Sequence, residues 1–318
     1  ISEKLYREET FDTVEELSDV LDEVLDRIDK LSQSDKLISG IPTAFMELSL
    51  LTLGFHNGDF VVIGARPSMG KTSFMLCNAL EQAKEGYKVL IFSLEMPKEA
   101  LVLRLLSIVS GVALHKIRRG FVSEEDRNLL KKAGEELRSL GIFFFDQPSI
   151  SVYELLLKAR EEKRKRDIDI IYIDYLQLLS GSKHYTRQEE VAEISRVLKS
   201  LARELNIPVV ALAQLSRQVE GRSDKRPQLA DLRESGQIEQ DADLVIFLHR
   251  PEYYKKSPPP EEVGIAEVII AKHRQGPTGI IKLRFDKETT AFRELGEQKI
   301  ETEDFSDLKE DDFDEIEF

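Results

Sequence analysis

Short apolar segments alternate with helical segments along most of the chain, and this alternation limits the possible folds more than any other feature. Continuous apolar strands separated by helices are typical of a parallel sheet that is buried on both faces. Strands are predicted at residues 60–64, 89–94, 142–145, 170–174, 209–213, 244–248, 266–271 and 280–285. Helices are predicted near residues 71–85, 97–110, 123–140, 151–165 and 188–205. We therefore predict an α/β fold with a mostly parallel, twisted sheet and helices on both faces.

The two ends of the chain differ from this central part. Residues 11–33 repeat apolar side chains at helical spacing, and Thr13 with Glu16 forms a capping-box pattern. The apolar stripe of this helix packs either on the chain's own core, which the residues alone favour, or on a neighbouring subunit. Acidic residues dominate the C-terminal end and predict a disordered tail. The expected division is a linker with its helix at 1–36, one domain at 37–296 and the tail at 297–318.

The charge distribution changes the meaning of the formal net charge of −14. Residues 1–36 hold 12 acids and 5 bases, and residues 297–318 hold 11 acids and 2 bases. The remaining residues therefore carry 38 bases against 36 acids. An acidic average argues against a nucleic-acid partner. Because the excess acid lies in the two ends, the central domain is still able to present a basic surface.

Composition also excludes several classes of protein. Cys77 is the single cysteine, so an intrachain disulfide and a cysteine-cluster metal site are both excluded. Charges or turn residues interrupt every apolar run well short of the roughly 20 residues that a membrane span requires. The sequence starts at Ile1 without a methionine or a signal-peptide pattern. We expect a cytoplasmic protein without a membrane segment, and a fragment of a longer chain.

A phosphate-binding loop is predicted directly after the first strand. The sequence ARPSMGKT at residues 65–72 joins this strand to a predicted helix, which is the context in which such loops bind ATP phosphates. Lys71 would contact the β- and γ-phosphates, and the Thr72 hydroxyl would bind Mg²⁺. Ala65 replaces the usual first glycine and requires a negative φ; a chance Gly-Lys-Thr at a helix start is the alternative. The predicted nucleotide-binding residues are Ala65, Arg66, Pro67, Ser68, Met69, Gly70, Lys71, Thr72 and Ser73.

Two acidic residues at strand ends are candidates for the chemistry of ATP hydrolysis. Asp174 ends the strand at 170–174 and matches the Walker B position, which holds Mg²⁺. Glu95 follows the strand at 89–94, and the carboxyl ends of parallel strands meet at one edge of the sheet. At that edge a carboxylate polarises the attacking water. The alternative role of Glu95 is to cap the helix that opens at Pro97.

Three further polar side chains are candidates for catalysis. Gln214 follows the strand at 209–213 and is either a γ-phosphate ligand or an ordinary loop amide. Lys272 and Arg274 precede a predicted hairpin turn at residues 276–279, far along the chain from the phosphate loop. They are either solvated turn cations or groups that stabilise transition-state charge in the ATP site of an adjacent copy. The residues alone leave both roles open.

Several sequence blocks in order resemble the bacterial replicative DNA helicases of the DnaB family. They are ARPSMGKT at 65–72, FSLEM at 92–96, IDYLQ at 173–177, QLSR at 214–217, DLRESGQIEQD at 231–241 and KHRQGPTG at 272–279. The resemblance covers about residues 37–296 and extends to Ala65, which is usual in the family. Ala44 and Ser49 depart from it, since the family more often has Gly and Asp there, and neither is a motor residue.

The resemblance implies a RecA-like P-loop ATPase domain that assembles as a homo-hexameric ring. It implies ATP and Mg²⁺ bound between subunits and 5′→3′ movement on single-stranded DNA at a replication fork. By position, Glu95 activates water, Gln214 couples nucleotide state to DNA, and Lys272 and Arg274 act in trans. The residues that fall on the DNA-contacting loops are Arg217, Arg233, Glu234 and Gly236.

The resemblance also bears on partners and on the N-terminal helix. In the family, a separate N-terminal domain precedes a linker helix that packs on the next subunit, and residues 1–36 match only this linker part. Primase and a helicase loader are the expected protein partners. Two other functions remain as alternatives, a RecA-like recombinase and a nucleotide-switched loader or scaffold. The block at 231–241 with Lys272 and Arg274 favours the helicase over the recombinase, and Glu95 with Asp174 disfavours the passive switch.

Overall fold

The computed structural model describes residues 16–32, 37–181, 186–222, 224–232, 236–255 and 257–296. The helices in these ranges are α1 (Leu17–Ser32), α2 (Met46–Thr52), α3 (Lys71–Lys84), α4 (Lys98–Ser110), α5 (Leu114–Arg119), α6 (Glu124–Arg138), α7 (Val152–Arg166), α8 (Arg187–Leu205) and α9 (Gly236–Asp241). The strands are β1 (Phe60–Ala65), β2 (Val89–Ser93), β3 (Ile142–Phe145), β4 (Ile170–Asp174), β5 (Val209–Gln214), β6 (Leu244–His249), β7 (Ile265–His273), β8 (Gly279–Phe285) and β9 (Phe292–Glu294). Several helices begin where the sequence offers a cap: Ser123, Ser151 and Thr186 form capping boxes at α6, α7 and α8.

All the strands belong to one sheet in the order β3-β2-β4-β5-β1-β6-β7-β8-β9. The first six strands in this order are parallel, and β7, β8 and β9 continue the sheet in antiparallel fashion. Helices cover both faces, because the central strands are apolar on both sides. In β1, Val61 and Ile63 face the layer that contains α3, whereas Phe60 and Val62 face the layer that contains α8. The predicted mostly parallel α/β fold is confirmed.

The predicted strands are all present, with ends that differ by at most two residues. The predicted hairpin between the last two of them is also present, since β7 and β8 pair in antiparallel register around the turn. The sequence pattern did not predict β9 or the short helices α2, α5 and α9, because these elements span too few residues to show a periodic pattern. Thr13 of the predicted capping box, the linker residues 33–36 and the predicted tail at 297–318 lie outside the described residues.

The N-terminal helix α1 does not pack on the chain's own core, which corrects the preference that the residues alone suggested. Leu17 is 81% exposed, and Leu21, Val24, Leu25 and Ile28 of the same stripe are between 46% and 53% exposed. The reason is geometric, since the helices that follow β1 already cover both faces of the sheet. Among the described helices, none is both long enough and apolar enough to cross a lipid bilayer.

Candidate active site

The predicted phosphate-binding loop connects the C-terminal end of β1 to the first residue of α3. Ala65 is the last residue of β1 and is not among the residues with positive φ, so the backbone accepts alanine there. Gly70 has φ +98°, and a Cβ atom at this position would lie 2.9 Å from Cε2 of Phe292. Glycine is therefore required at residue 70 both for the backbone conformation and for space. The loop brings the N-terminus of α3 to the sheet edge, where backbone N–H groups can bind an anion.

The side chains of the loop divide into buried and exposed groups. Pro67 and Ser68 are exposed, whereas Met69 and Ser73 are buried. Arg66 is only 8% exposed, because its guanidinium donates to the Leu215 carbonyl and to the Glu220 carboxylate. Any contact of Arg66 with a nucleotide in this conformation would therefore come from its backbone.

Lys71 is the first residue of α3 and is half-buried at the edge of the sheet. Its ammonium group lies 4.9 Å from the ring centroid of Tyr175. Burial lowers the pKa of Lys71 to about 8, although the carboxylates of Asp174 and Glu95 act in the opposite direction. A lysine with a lowered pKa beside two acids is suited to bind a polyanion such as a triphosphate, which would favour its charged form.

Thr72 and Asp174 meet as the sequence predicted, although 102 residues separate them. The Thr72 Oγ1 hydroxyl donates to Asp174 Oδ2 at 2.7 Å. Asp174 is fully buried, and burial raises its pKa, which the Thr72 hydrogen bond and the charge of Lys71 partly offset. The other carboxylate oxygen, Oδ1, is buried without a hydrogen-bond partner. An unpartnered carboxylate oxygen beside a threonine hydroxyl fits a water-coordinated Mg²⁺ ion.

Within the described part of the chain, no three histidine, cysteine or acidic side chains cluster in a way that could hold a metal ion. A magnesium ion at Thr72 and Asp174 would therefore take its other ligands from nucleotide phosphates and water, as Mg²⁺ usually does in ATPase sites.

Glu95 lies near Lys71 and Asp174 and does not cap the following helix. Its negative charge raises the pKa of Asp174 in addition to the effect of burial. At the start of α4, Pro97 occupies the N-cap position and makes no side-chain cap. The first-turn N–H of Lys98 instead donates to Asp146 Oδ2 at 3.1 Å. The alternative role of Glu95 as a helix cap is therefore wrong, and its carboxylate is exposed at the edge where water has access.

Arg104 in α4 also lies at this site, and the sequence pattern did not predict it. Its guanidinium donates to Ser73 Oγ at 3.3 Å, next to the predicted magnesium ligand Thr72. Burial and the charge of Arg118 lower the pKa of Arg104, against the effect of Asp174 and Glu95. Its only sequence signal is a position nine residues after Glu95, and no spacing rule connects the two.

Gln214 is held at the end of β5 by a second amide. Its backbone N–H donates to Gln177 Oε1 at 3.1 Å, and Gln177 Nε2 donates to the Gln214 carbonyl at 3.0 Å. The two glutamines line a cleft together with Arg66, Tyr175 and Arg217. The exposed Gln214 side chain thus starts from a fixed backbone position between the phosphate loop and the segment that carries Arg217.

Lys272 and Arg274 lie near the amino ends of the parallel strands, whereas the phosphate loop of this chain follows the carboxyl end of β1. Lys272 pairs with Val245 near the start of β6, whereas Ala65 pairs with Leu248 near its end. At about 3.3 Å per residue, the strand alone separates these positions by roughly 10 Å. The register therefore disfavours any action of Lys272 and Arg274 within their own subunit.

Both cations are held by the C-terminal end of α9. Lys272 Nζ donates to the carbonyls of Glu239 and Ala242 at 2.6 and 2.8 Å. Arg274 donates to the Gln240 carbonyl and lies 3.4 Å from Asp243 Oδ1. Asp243 in turn accepts from the Phe60 N–H at the start of β1. These contacts anchor the two cations to the end of α9 and, through Asp243, to β1. Lys272 and Arg274 are therefore not freely solvated side chains of a turn.

The predicted DNA-contacting residues are only partly described. Arg217 is exposed at the start of the short 3₁₀ helix Arg217–Gly221, which directly follows β5. Gly236 is the first residue of α9 and has open space around its Cα atom. Arg233 and Glu234 lie outside the described residues.

Comparison with protein families matches residues 40–294 to the DnaB-like helicase C-terminal domain. Curated relatives include the replicative DNA helicase DnaB of Geobacillus stearothermophilus, 47% identical, and the replicative DNA helicase DnaC of Bacillus subtilis, 48% identical. Each match covers 88% of this chain and 62% of the relative. The chain thus spans about three fifths of the length of these relatives.

Solved structures give the same result for the fold. The ATPase domain of G40P superposes with a TM-score of 0.83 at 43% identity, over 89% of this chain and all of that domain. A DnaB-like replicative helicase, solved for its interactions with primase, superposes with a TM-score of 0.82 at 44% identity. That match covers 88% of this chain and 68% of the helicase chain.

Proposed function

The chain belongs to the family of DnaB-like helicase C-terminal domains, and we propose that it is the ATP-driven motor of a replicative DNA helicase. In this proposal a homo-hexameric ring hydrolyses ATP at its subunit interfaces and moves 5′→3′ on single-stranded DNA. The observation that carries the proposal is the contact between Thr72 and Asp174 at 2.7 Å beside Lys71. This contact joins the predicted phosphate loop to the predicted Walker B acid at one sheet edge, which supports the proposal.

In the proposed mechanism the edge of the sheet binds and orients the triphosphate. Backbone N–H groups at the start of α3 and the Lys71 ammonium contact the phosphates. Thr72 and Asp174 would hold Mg²⁺, which would supply positive charge against the negative charge of the phosphates. The exposed carboxylate of Glu95 accepts a proton from the attacking water, and such general-base catalysis contributes about 10²–10⁴-fold to a rate.

Charge that develops on the transferred phosphoryl group requires additional cations. Arg104 is one candidate from the same chain, because it lies beside Ser73. Lys272 and Arg274 are proposed to act on the site of the adjacent copy, since the strand register separates them from the phosphate loop of their own chain. A head-to-tail interface of this kind repeats around a ring, so each subunit supplies one half of two sites.

The DNA-contacting residues are proposed to neutralise or approach phosphates without reading bases. Arg217 would contribute a cation, and Gly236 would bring a backbone N–H close to the strand. Arg233 and Glu234 are proposed for the same loops on the basis of the family resemblance. Contacts of this type ignore base identity, which suits a motor that passes every sequence.

Further elements of the proposal rest on the family alone. Primase is a proposed partner, because one structural neighbour is a DnaB-like helicase solved for its interactions with primase. A helicase loader is a second proposed partner. The apolar stripe of α1 is proposed to pack on the next subunit, and the division at residues 36 and 296 is proposed as the domain organisation.

The test is displacement of a strand from a forked duplex, with ATP hydrolysis and particle mass measured on the same preparation. We expect hydrolysis that depends on DNA, a hexameric particle and displacement that requires a 5′ single-stranded arm. Lys71→Ala should abolish hydrolysis and displacement, whereas Lys84→Ala at the other end of α3 should preserve both. Strand exchange without displacement would favour a recombinase, and nucleotide binding without turnover would favour a passive switch; either result would overturn the proposal.

A further inference from the structure

An ion pair between the buried Arg66 and the exposed Glu220 connects the phosphate loop to the segment proposed to contact DNA. Arg66 donates from Nε and Nη2 to Glu220 Oε1 at 3.0 and 2.6 Å, and from Nη1 to the Leu215 carbonyl at 2.8 Å. Each of the three guanidinium nitrogens of Arg66 thus donates a hydrogen bond to this segment. Charge-assisted hydrogen bonds to a planar guanidinium are strong and directional, so the orientation of Arg66 depends on Glu220.

Glu220 and Arg217 belong to the same short 3₁₀ helix. In a 3₁₀ helix the side chains at positions i and i+3 lie above one another, so these two project from one side of the turn. Val219, between them, is fully buried and fixes the turn to the core. Arg66, Gln214 and Arg217 line one cleft, which places the ion pair beside the proposed DNA-contacting arginine. Arg217 is therefore connected to the phosphate loop through a single 3₁₀ helix and one ion pair.

Two backbone contacts make the connection between these segments continuous. The Leu215 N–H donates to the carbonyl of Ala65, which ends β1, and the Ser216 N–H donates to the carbonyl of Asp231. Asp231 is itself bound by both terminal nitrogens of Arg222, at 2.6 Å each. The segment after β5 is therefore hydrogen-bonded to β1 on one side and to the Asp231 backbone on the other. The ion pair of Arg66 and Glu220 adds a side-chain connection to the phosphate loop.

We propose that Glu220 is a positioning residue that couples DNA binding at Arg217 to ATP turnover, through Arg66 in the phosphate loop. When a DNA phosphate binds Arg217, the 3₁₀ turn shifts, and Glu220 carries this shift to Arg66 and to the backbone of the loop. This inference rests on the proposed function, because it requires a DNA-stimulated ATPase. It goes beyond that function by assigning the stimulation to one ion pair.

The test compares ATP turnover with and without single-stranded DNA in Glu220→Gln, Glu220→Asp and the unchanged chain. Coupling between two sites typically corresponds to a factor of about 5–150. We expect Glu220→Gln to retain turnover without DNA and to lose DNA stimulation by about fivefold or more. Glu220→Asp keeps the charge and should recover part of the stimulation. Glu204→Gln breaks a similar arginine–glutamate pair at the surface, with Arg160, and should leave stimulation unchanged.

A double-mutant cycle distinguishes coupling of DNA binding to ATP turnover from a purely stabilising role of the ion pair. If Glu220 acts through Arg66, Arg66→Gln and the double variant should lose DNA stimulation to the same extent as Glu220→Gln. Equal losses of turnover with and without DNA, together with a lower melting temperature, would assign the pair a structural role and overturn the inference. Full stimulation in Glu220→Gln would also overturn it. Absence of stimulation in the unchanged chain would instead contradict the proposed function.

Discussion

At the scale of single residues, Lys71 and Asp174 show how burial would prepare the proposed ATPase site for its ligand. Burial lowers the pKa of Lys71 to about 8 and raises that of Asp174, so both charged forms are disfavoured in the absence of a partner. In the proposed site, nucleotide phosphates and Mg²⁺ would supply the missing charges. Ligand binding would therefore offset the cost of desolvating the charged forms of Lys71 and Asp174.

The lowered pKa of Lys71 predicts the pH dependence of nucleotide binding. Below about pH 8 the lysine is charged before the ligand arrives, so the affinity should be nearly constant. Above that pH a proton must first be taken up, and the affinity should fall by up to about tenfold per pH unit. Titration of the chain with a fluorescent ADP analogue between pH 7 and 9.5 measures this slope. Lys71→Arg stays charged and should give a flat profile; an equal fall in both chains would exclude Lys71 as the cause.

The lowered pKa of Lys71 has the opposite effect on the stability of the fold, which should increase with pH. The unfolded chain has the ordinary lysine pKa near 10.5, so between about pH 8 and 10.5 it binds more protons at this residue than the folded chain does. The contribution of Lys71 to the free energy of unfolding therefore rises with pH across that window.

Gly70 predicts a measurable steric difference between two glycines. Gly70 and Gly86 have nearly the same φ, +98° and +96°, but a Cβ at Gly70 meets the Phe292 ring, whereas Gly86 has open space. Gly86→Ala should cost about 1–3 kcal/mol of the free energy of unfolding through backbone strain alone. Gly70→Ala should cost about 1–3 kcal/mol more, because it also overpacks the site. Denaturant unfolding of both variants measures this difference, and equal losses would refute the steric account.

The residues that the sequence predicted and those that it missed differ in a physical way. Asp174 ends β4, Glu95 follows β2, and Thr72 lies in α3 directly after the loop that follows β1. The parallel sheet brings the carboxyl ends of these strands to one edge. Arg104 and Glu220 make side-chain contacts that cross 31 and 154 residues of chain. No local spacing encodes such contacts, so they require the folded structure.

At the scale of elements, the sheet separates the two halves of the proposed site. The parallel strands place the phosphate loop at their carboxyl ends, and the antiparallel β7 returns Lys272 to their amino ends. Strand periodicity predicted both elements, but the strand register that sets them apart is a property of the folded sheet. The small elements β9 and α9, which hold Phe292 and the partners of Lys272, gave no periodic signal.

The 3₁₀ helix after β5 predicts how DNA binding responds to salt. If Arg217 contacts a DNA phosphate, Arg217→Ala should weaken binding of single strands equally for all base compositions. It should also reduce the slope of log affinity against log salt concentration by about 0.7, the value expected for one phosphate contact on a single strand. Binding titrations at several salt concentrations provide this slope. Arg164→Ala, an exposed arginine on α7, serves as the control, and an unchanged slope in Arg217→Ala would remove Arg217 from the interface.

At the scale of the whole molecule, two features of the chain agree with the proposed contacts between subunits. The apolar stripe of α1 is exposed, and Lys272 and Arg274 lie away from the phosphate loop of their own chain. The family resemblance predicted both features as contacts between subunits, whereas the residues alone had favoured packing of α1 within the chain. Periodicity shows that a helix has an apolar face, but it does not show which surface covers that face.

The central claim is that ATP is cleaved where two copies meet, and mixing two inactive variants tests it most directly. Glu95→Gln lacks the proposed base but keeps Arg274, and Arg274→Ala has the reverse defect. In a random equal mixture, about a quarter of head-to-tail interfaces combine an intact base with an intact arginine. We predict that each variant alone is nearly inactive, still binds nucleotide and assembles, and that the mixture regains ATP turnover in proportion to those interfaces. If co-assembled mixtures remain as inactive as the separate variants at every ratio, the shared site does not exist and the account is contradicted.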